Sequence, residues 1–86
     1  MPRLSEFYGI AVYMYFADHN PPHFHAIYGS HEAAIAIESG DVLAGNLPRR
    51  ARRLLLEWIG LHRDELLEDW KRATNGETLI PIAPLD

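Results

Sequence analysis

Three histidines, an aspartate and three tyrosines crowd into one stretch, Tyr13 to Gly29, which reads YMYFADHNPPHFHAIYG. His23 and His25 are two residues apart, so a strand turns both rings to one side. Asp18 and His19 stand on the segment that leads in. Neutral imidazole and carboxylate oxygen are ligands for zinc and related divalent ions, and three protein ligands with an open position are typical of a catalytic metal. Asp18, His19, His23 and His25 are therefore the candidate metal ligands, with a divalent metal such as zinc as the implied cofactor. The spacing matches no standard zinc motif. The same residues also read as a metal-free acid–base set, with His23 and His25 exchanging protons and Tyr15 donating to a reacting group. The plainer reading is that the histidines bond backbone groups around Pro21-Pro22 and pin a turn, while the tyrosines pack.

A second cluster is cationic. Arg49, Arg50, Arg52 and Arg53 are half of the 8 Lys and Arg in the chain. They fall where a helix should begin, facing the positive end of its dipole, which costs roughly 0.3–1 kcal/mol for each exposed charge. An anionic partner would explain that cost, and Arg49, Arg50 and Arg53 are the candidate RNA- or anion-binding residues. The plainer reading is a solvated face neutralised by Glu57. The net charge of −4 argues against a general nucleic-acid coat protein. Cysteine is absent, which removes disulfides and thiolate chemistry and agrees with a cytoplasmic chain. Neither a signal-like stretch nor a membrane span is expected.

These residues need elements to position them. Residues 1–8 read as an arm. Residues 9–16 read as a strand with Ile10, Val12, Met14 and Phe16 on one face, and 17–22 as a loop stopped by the two prolines. A second strand at 23–28 and a third at 32–38 turn at Gly29-Ser30, and a short fourth follows at 41–44. That turn sets a register: Tyr28 opposite His31, Ala26 opposite Ala33, and Phe24 opposite Ile35 on the apolar face. On the other face His25 lies opposite Ala34 and His23 opposite Ala36, so small methyl groups neighbour the histidines. His23 and His25 should face away from the helix, with Phe24 and Ala26 beneath it.

From Leu47 the pattern is helical to about Thr74, with Asn46 able to cap and Pro48 in the first turn. Ala51, Leu54, Leu55, Trp58, Leu61, His62, Leu66, Trp70 and Ala73 form the buried stripe. His62 reads as a core residue, or as a helix contact to the sheet site. Gly60 is the weak point, costing roughly 1 kcal/mol relative to alanine, so the segment is one helix or two. If the helix is straight, Leu56, Gly60 and Leu67 share an exposed seam suited to a partner protein or a homodimer; if it bends at Gly60, Leu67 joins the core. The two prolines in residues 78–85 allow an extended tail or an edge strand. The fold expected is α+β, a single domain over 1–86. A small antiparallel sheet of three to four strands is covered on one face by a long C-terminal helix.

Tyr15-Phe16, Asp18-His19, Pro21-Pro-His-Phe-His-Ala26 and Tyr28-Gly29 together resemble the signature of the bacterial family called domain of unknown function 4160. Leu47-Pro-Arg-Arg50, Glu57-Trp58, Leu61-His62, Glu65-Leu66 and Trp70 agree with the second half of that family, so the resemblance runs from about residue 7 to 85. It implies a small bacterial protein. It also implies a companion, a second small protein from an adjacent gene of the kind called domain of unknown function 2442, as in a two-gene toxin–antitoxin module. It carries over no catalytic residue.

Two functional readings follow. One is an RNA-cleaving or RNA-binding toxin that uses His23 and His25 with the arginines. The other is a non-catalytic interaction or regulatory module, or a histidine-based metal-binding domain.

Overall fold

A computed structural model describes residues 3–16 and 18–86. Met1 and Pro2 of the expected arm, and Ala17 of the expected loop, lie outside the described residues. Among the described residues the chain forms five antiparallel strands in sequence order, followed by one helix. The strands are β1 (Arg3–Phe7), β2 (Ile10–Tyr13), β3 (His23–Tyr28), β4 (His31–Ala36) and β5 (Val42–Gly45), and the helix is α1 (Arg49–Thr74). The fold is α+β as expected, with one strand more than the three to four anticipated.

The extra strand is β1, in the segment read as an arm. Leu4 and Phe7 are buried and β1 pairs with β2. A register shift between Arg3 and Ser5 buries Leu4 and Ser5 side by side, which erases the alternation that marks a strand. The strand expected over 9–16 ends early. Ile10, Val12 and Met14 are fully buried, but Phe16 is 47% exposed because the chain has left the sheet after Tyr13.

The β3–β4 hairpin has the register that the turn residues dictate. Tyr28 pairs with His31, Ala26 with Ala33, Phe24 with Ile35, His25 with Ala34 and His23 with Ala36. Phe24 and Ala26 are completely buried, and Trp58 of α1 packs against Phe24 and Phe7 with ring centroids 5.9 and 5.1 Å away. Leu55, Ile59 and Leu66 complete the helix side of this core.

Helix α1 departs from the straight rod in one place. His62 has φ −129° and ψ 20°, which kinks the helix two residues after the glycine that seemed its weak point. The kink rotates the second half and rewrites the stripe. Leu61 is 67% exposed, whereas Ile59 and Asp69 are buried. Leu67 is half-buried against the core, so the straight seam through Leu56, Gly60 and Leu67 does not form. Leu56 is 44% exposed, yet a Cβ on Gly40 would overlap its Cδ2, so it is laid against the loop after β4. Asn46 does not cap the helix; its Oδ1 lies 3.0 Å from His31 Nδ1, and Pro48 occupies the N-cap with no side-chain bond.

The tail after α1 runs back along the molecule without regular strand structure. Ile82 N–H donates to Leu4 O at 2.8 Å, Trp58 Nε1–H to Ala83 O at 2.8 Å, and Ile80 N–H to Asp69 Oδ1 at 2.9 Å. The first ties the tail to β1, and the other two tie it to α1. Strand β5 ends the sheet at the other edge, and among the described residues no strand pairs with its outer side. No helix is long and apolar enough to cross a membrane among the described residues.

Candidate metal centre

Strand β3 delivers the histidines and the loop before it delivers the aspartate. His25 is half-buried on the face opposite Phe24. Its Nε2 lies 3.4 Å from Asp18 Oδ2, and His23 Nε2 lies 3.0 Å from the same oxygen. The ligand atoms of Asp18, His23 and His25 all fall within 4.8 Å of one another. Neighbouring donors around a tetrahedral zinc with bonds of about 2.1 Å lie about 3.4 Å apart, so the cluster is close to ligating dimensions.

The tautomer of His23 is fixed by a backbone group. Its Nδ1 lies 2.7 Å from the carbonyl oxygen of Pro21, which can only accept, so Nδ1 carries a proton. Nε2 then faces the Asp18 carboxylate in one of two ways. As an imidazolium the ring donates a second proton to Asp18. As a neutral ring it presents a lone pair, and two facing acceptors are stable only with a cation between them. A backbone carbonyl holding Nδ1–H is the support that metal-ligating histidines use, and it leaves Nε2 turned to Asp18.

Asp18 feels opposing influences. Burial raises its pKa, but the His19 N–H, the His25 hydrogen bond and the charge of His23 together hold the carboxyl below the usual aspartate value. His19 is the one expected ligand that stands apart. Its side chain is 88% exposed, and it meets the other oxygen of Asp18, with N–H to Oδ1 at 2.9 Å and Nδ1 to Oδ1 at 3.0 Å. It buttresses the carboxylate.

Tyr15 packs on His25 with ring centroids 4.3 Å apart. Burial first, and then the negative charges of Glu32 and Asp18 and the nearby Tyr13, push its phenol above the usual value, so it stays protonated as a donor. His23 differs from the expectation that both rings face away from the helix. It is only 5% exposed and its ring centroid lies 5.2 Å from Trp70 of α1. Standing at the first position of β3, it is reached by the second half of the kinked helix.

The cluster opens on a cavity of about 300 Å³ lined by Asp18, His19, Pro21, His23, His25, Ala34, Leu43 and Ala44. Ala34 and Ala44 leave room above the sheet. The register shift between Ala34 and Ile35 leaves Leu43 as an extra residue on β5, and the bulge puts Leu43 and Ala44 on the same wall. Gly45 ends that strand at φ +74°, where a Cβ would also overlap the Glu32 carbonyl oxygen.

The remaining expected residues lie elsewhere. Arg49, Arg50 and Arg53 are exposed on the first turns of α1 and do not line this cavity. His62 Nδ1 is 2.6 Å from Glu65 Oε1 and its ring packs near Trp58, away from the sheet site. Leu56, Gly60 and Leu67 are likewise remote from the cavity lining. The bond from His23 Nδ1 to the Pro21 carbonyl is the backbone contact that the plainer reading of the histidines expected around Pro21-Pro22. Sequence reasoning missed the Leu43 wall and the Trp70 contact, and neither carried a signal in the sequence.

No curated protein and no solved structure matches this chain. One family does match, the domain of unknown function DUF4160, and it covers residues 9–71, from the start of β2 to the last turn of α1. That span takes in the Asp18–His23–His25 cluster, the β3–β4 hairpin and the helix beneath them, and the chain belongs to the DUF4160 family.

Proposed function

We propose that this chain is a divalent-metal-binding domain in which Asp18 Oδ2, His23 Nε2 and His25 Nε2 hold one transition-metal ion of the zinc class. The observation that carries this reading is the His23 ring. Its Nδ1–H is committed to Pro21, and its Nε2 is aimed at a carboxylate that His25 also approaches. Three protein ligands beside a cavity leave coordination positions for a water or a small ligand, the arrangement of a working metal rather than a closed structural one. A bound ion of this kind lowers the pKa of its water to about 7. The protonated Tyr15 phenol beside His25 supplies a donor to whatever occupies the open position.

The RNA-cleaving toxin reading has less support. That reading pairs His23 and His25 with Arg49, Arg50 and Arg53 at one phosphate, and none of these arginines lines the histidine cavity. A role in a two-gene module with a companion protein is compatible with metal binding, which would then be the activity or the regulated property of this partner. Titration of the chain with zinc, followed by calorimetry, tests the reading. The expectation is one zinc per chain, lost in His25→Ala. Binding of equal strength in the two chains would overturn it.

A further inference from the structure

A second cavity of about 260 Å³ is lined by His25, Glu32, Ala33, Ala34, Ala44 and Gly45. It shares His25, Ala34 and Ala44 with the histidine cavity, so the two form one trough across the open face of the sheet. One end holds the Asp18–His23–His25 cluster. The floor is alanine methyl groups, and the bulged Leu43 walls the cluster end. Glu32 marks the other end. It pairs with Ile27 two residues along β4 from Ala34, so it shares the histidine face and stands roughly 7 Å further along the strand. Glu32 is exposed, and among the described residues no cationic side chain forms an ion pair with it. Neither cavity is lined by lysine or arginine.

From this layout we infer that the ligand of the site is a small carboxylate bearing a primary amine, its carboxylate on the metal and its ammonium on Glu32. This rests on the metal reading above. The two ends of the trough demand opposite charges: a metal ion accepts an anionic donor, and an unpaired glutamate accepts an ammonium. Between them the methyl floor accepts an unbranched apolar stem and offers no hydrogen bond to a sugar or a base. Beyond the metal a polyanion would meet the Glu32 carboxylate, with no lysine or arginine in the lining to offset it. The acidic trough therefore selects against nucleic acid and in favour of an amine.

The test uses the zinc-loaded chain and three probes of one length: ε-aminocaproate, caproate and hexylamine. Zinc binding is measured first, so failure of the metal reading shows before any probe is added and overturns both claims. Amide shift mapping and calorimetry then follow each probe. The expectation is that ε-aminocaproate binds about fivefold tighter than caproate, the size of one exposed ion pair. Hexylamine should bind more weakly than ε-aminocaproate. Shifts should centre on Ala34, Ala44 and Glu32. In Glu32→Gln the two carboxylates should bind equally, and added salt should erode the wild-type preference. Equal binding of caproate and ε-aminocaproate to the zinc-loaded wild type would overturn the inference, as would a preference that survives Glu32→Gln.

Discussion

His23 points one ring nitrogen at Asp18 Oδ2 from 3.0 Å while its other nitrogen, 2.7 Å from the Pro21 carbonyl, has already spent its proton. The pair can be satisfied by a second proton or by a metal ion, and the two compete for the same lone pair. Much of the behaviour expected of this protein follows from that competition.

Zinc binding should compete with protons. Any proton on His23 Nε2 or His25 Nε2 must leave before that atom can ligate, so proton release should accompany binding. Calorimetry in buffers of different ionisation enthalpy reads this directly. Apparent affinity should fall as the pH is lowered, because protons then win the lone pair.

The two histidines should separate fold from site. His25 is half-buried between Ala34 and Tyr13 with Tyr15 against its ring, so His25→Ala should abolish metal binding and cost about 1 kcal/mol of stability. His23 is 5% exposed and packed on Trp70. His23→Ala should lose the metal and also cost about 2–4 kcal/mol, from a cavity and an orphaned Pro21 carbonyl. Urea unfolding of both variants without metal makes the comparison.

Asp18 should tie stability to acid. Its pKa is lowered in the folded chain, because the His19, His25 and His23 contacts outweigh burial. A folded value below the unfolded one means that the stabilisation is fully present above the usual aspartate range. It is lost as the pH falls through the folded value. Asp18→Asn should therefore flatten the acid limb of stability against pH in metal-free solution, with little change in the slope near neutrality.

Asp69 should anchor the tail. It is 1% exposed, and its Oδ1 accepts from Ile80 N–H and from Arg72 Nη1, both at 2.9 Å. Asp69→Ala leaves the Ile80 amide without its acceptor and should cost about 2–4 kcal/mol. Hydrogen exchange should show the Ile80 and Ile82 amides opening first, since the tail is held there and at Leu4.

The hairpin was legible because turn residues set its register. Gly29-Ser30 and period-two alternation place Phe24 inside and His25 outside without any help from the rest of the chain. Two shifts of that period were not legible. The bulge between Arg3 and Ser5 hid β1, and the bulge that isolates Leu43 hid one wall of the cavity. The helix kink was misplaced for a different reason. Gly60 is the intrinsically weakest residue, but the backbone departs from helical geometry at His62, whose ring is engaged with Trp58 and Glu65. Within the site, the sequence brought forward Asp18, His23 and His25. It could not reveal that His19 meets the far oxygen of Asp18, or that Trp70 closes over His23, since both depend on how loop and helix pack around the strand.

The most direct measurement is long-range nitrogen–proton NMR of the imidazole rings during a zinc titration. It reports, ring by ring, which nitrogen holds a proton and which holds metal. His23 and His25 should both become metal-bound at Nε2, with His23 keeping its Nδ1 proton throughout. His31 and His62 should stay unchanged. Zinc-dependent shifts confined to His19, His31 or His62, or a His23 ring that keeps its Nε2 proton at saturating zinc, would contradict the metal reading.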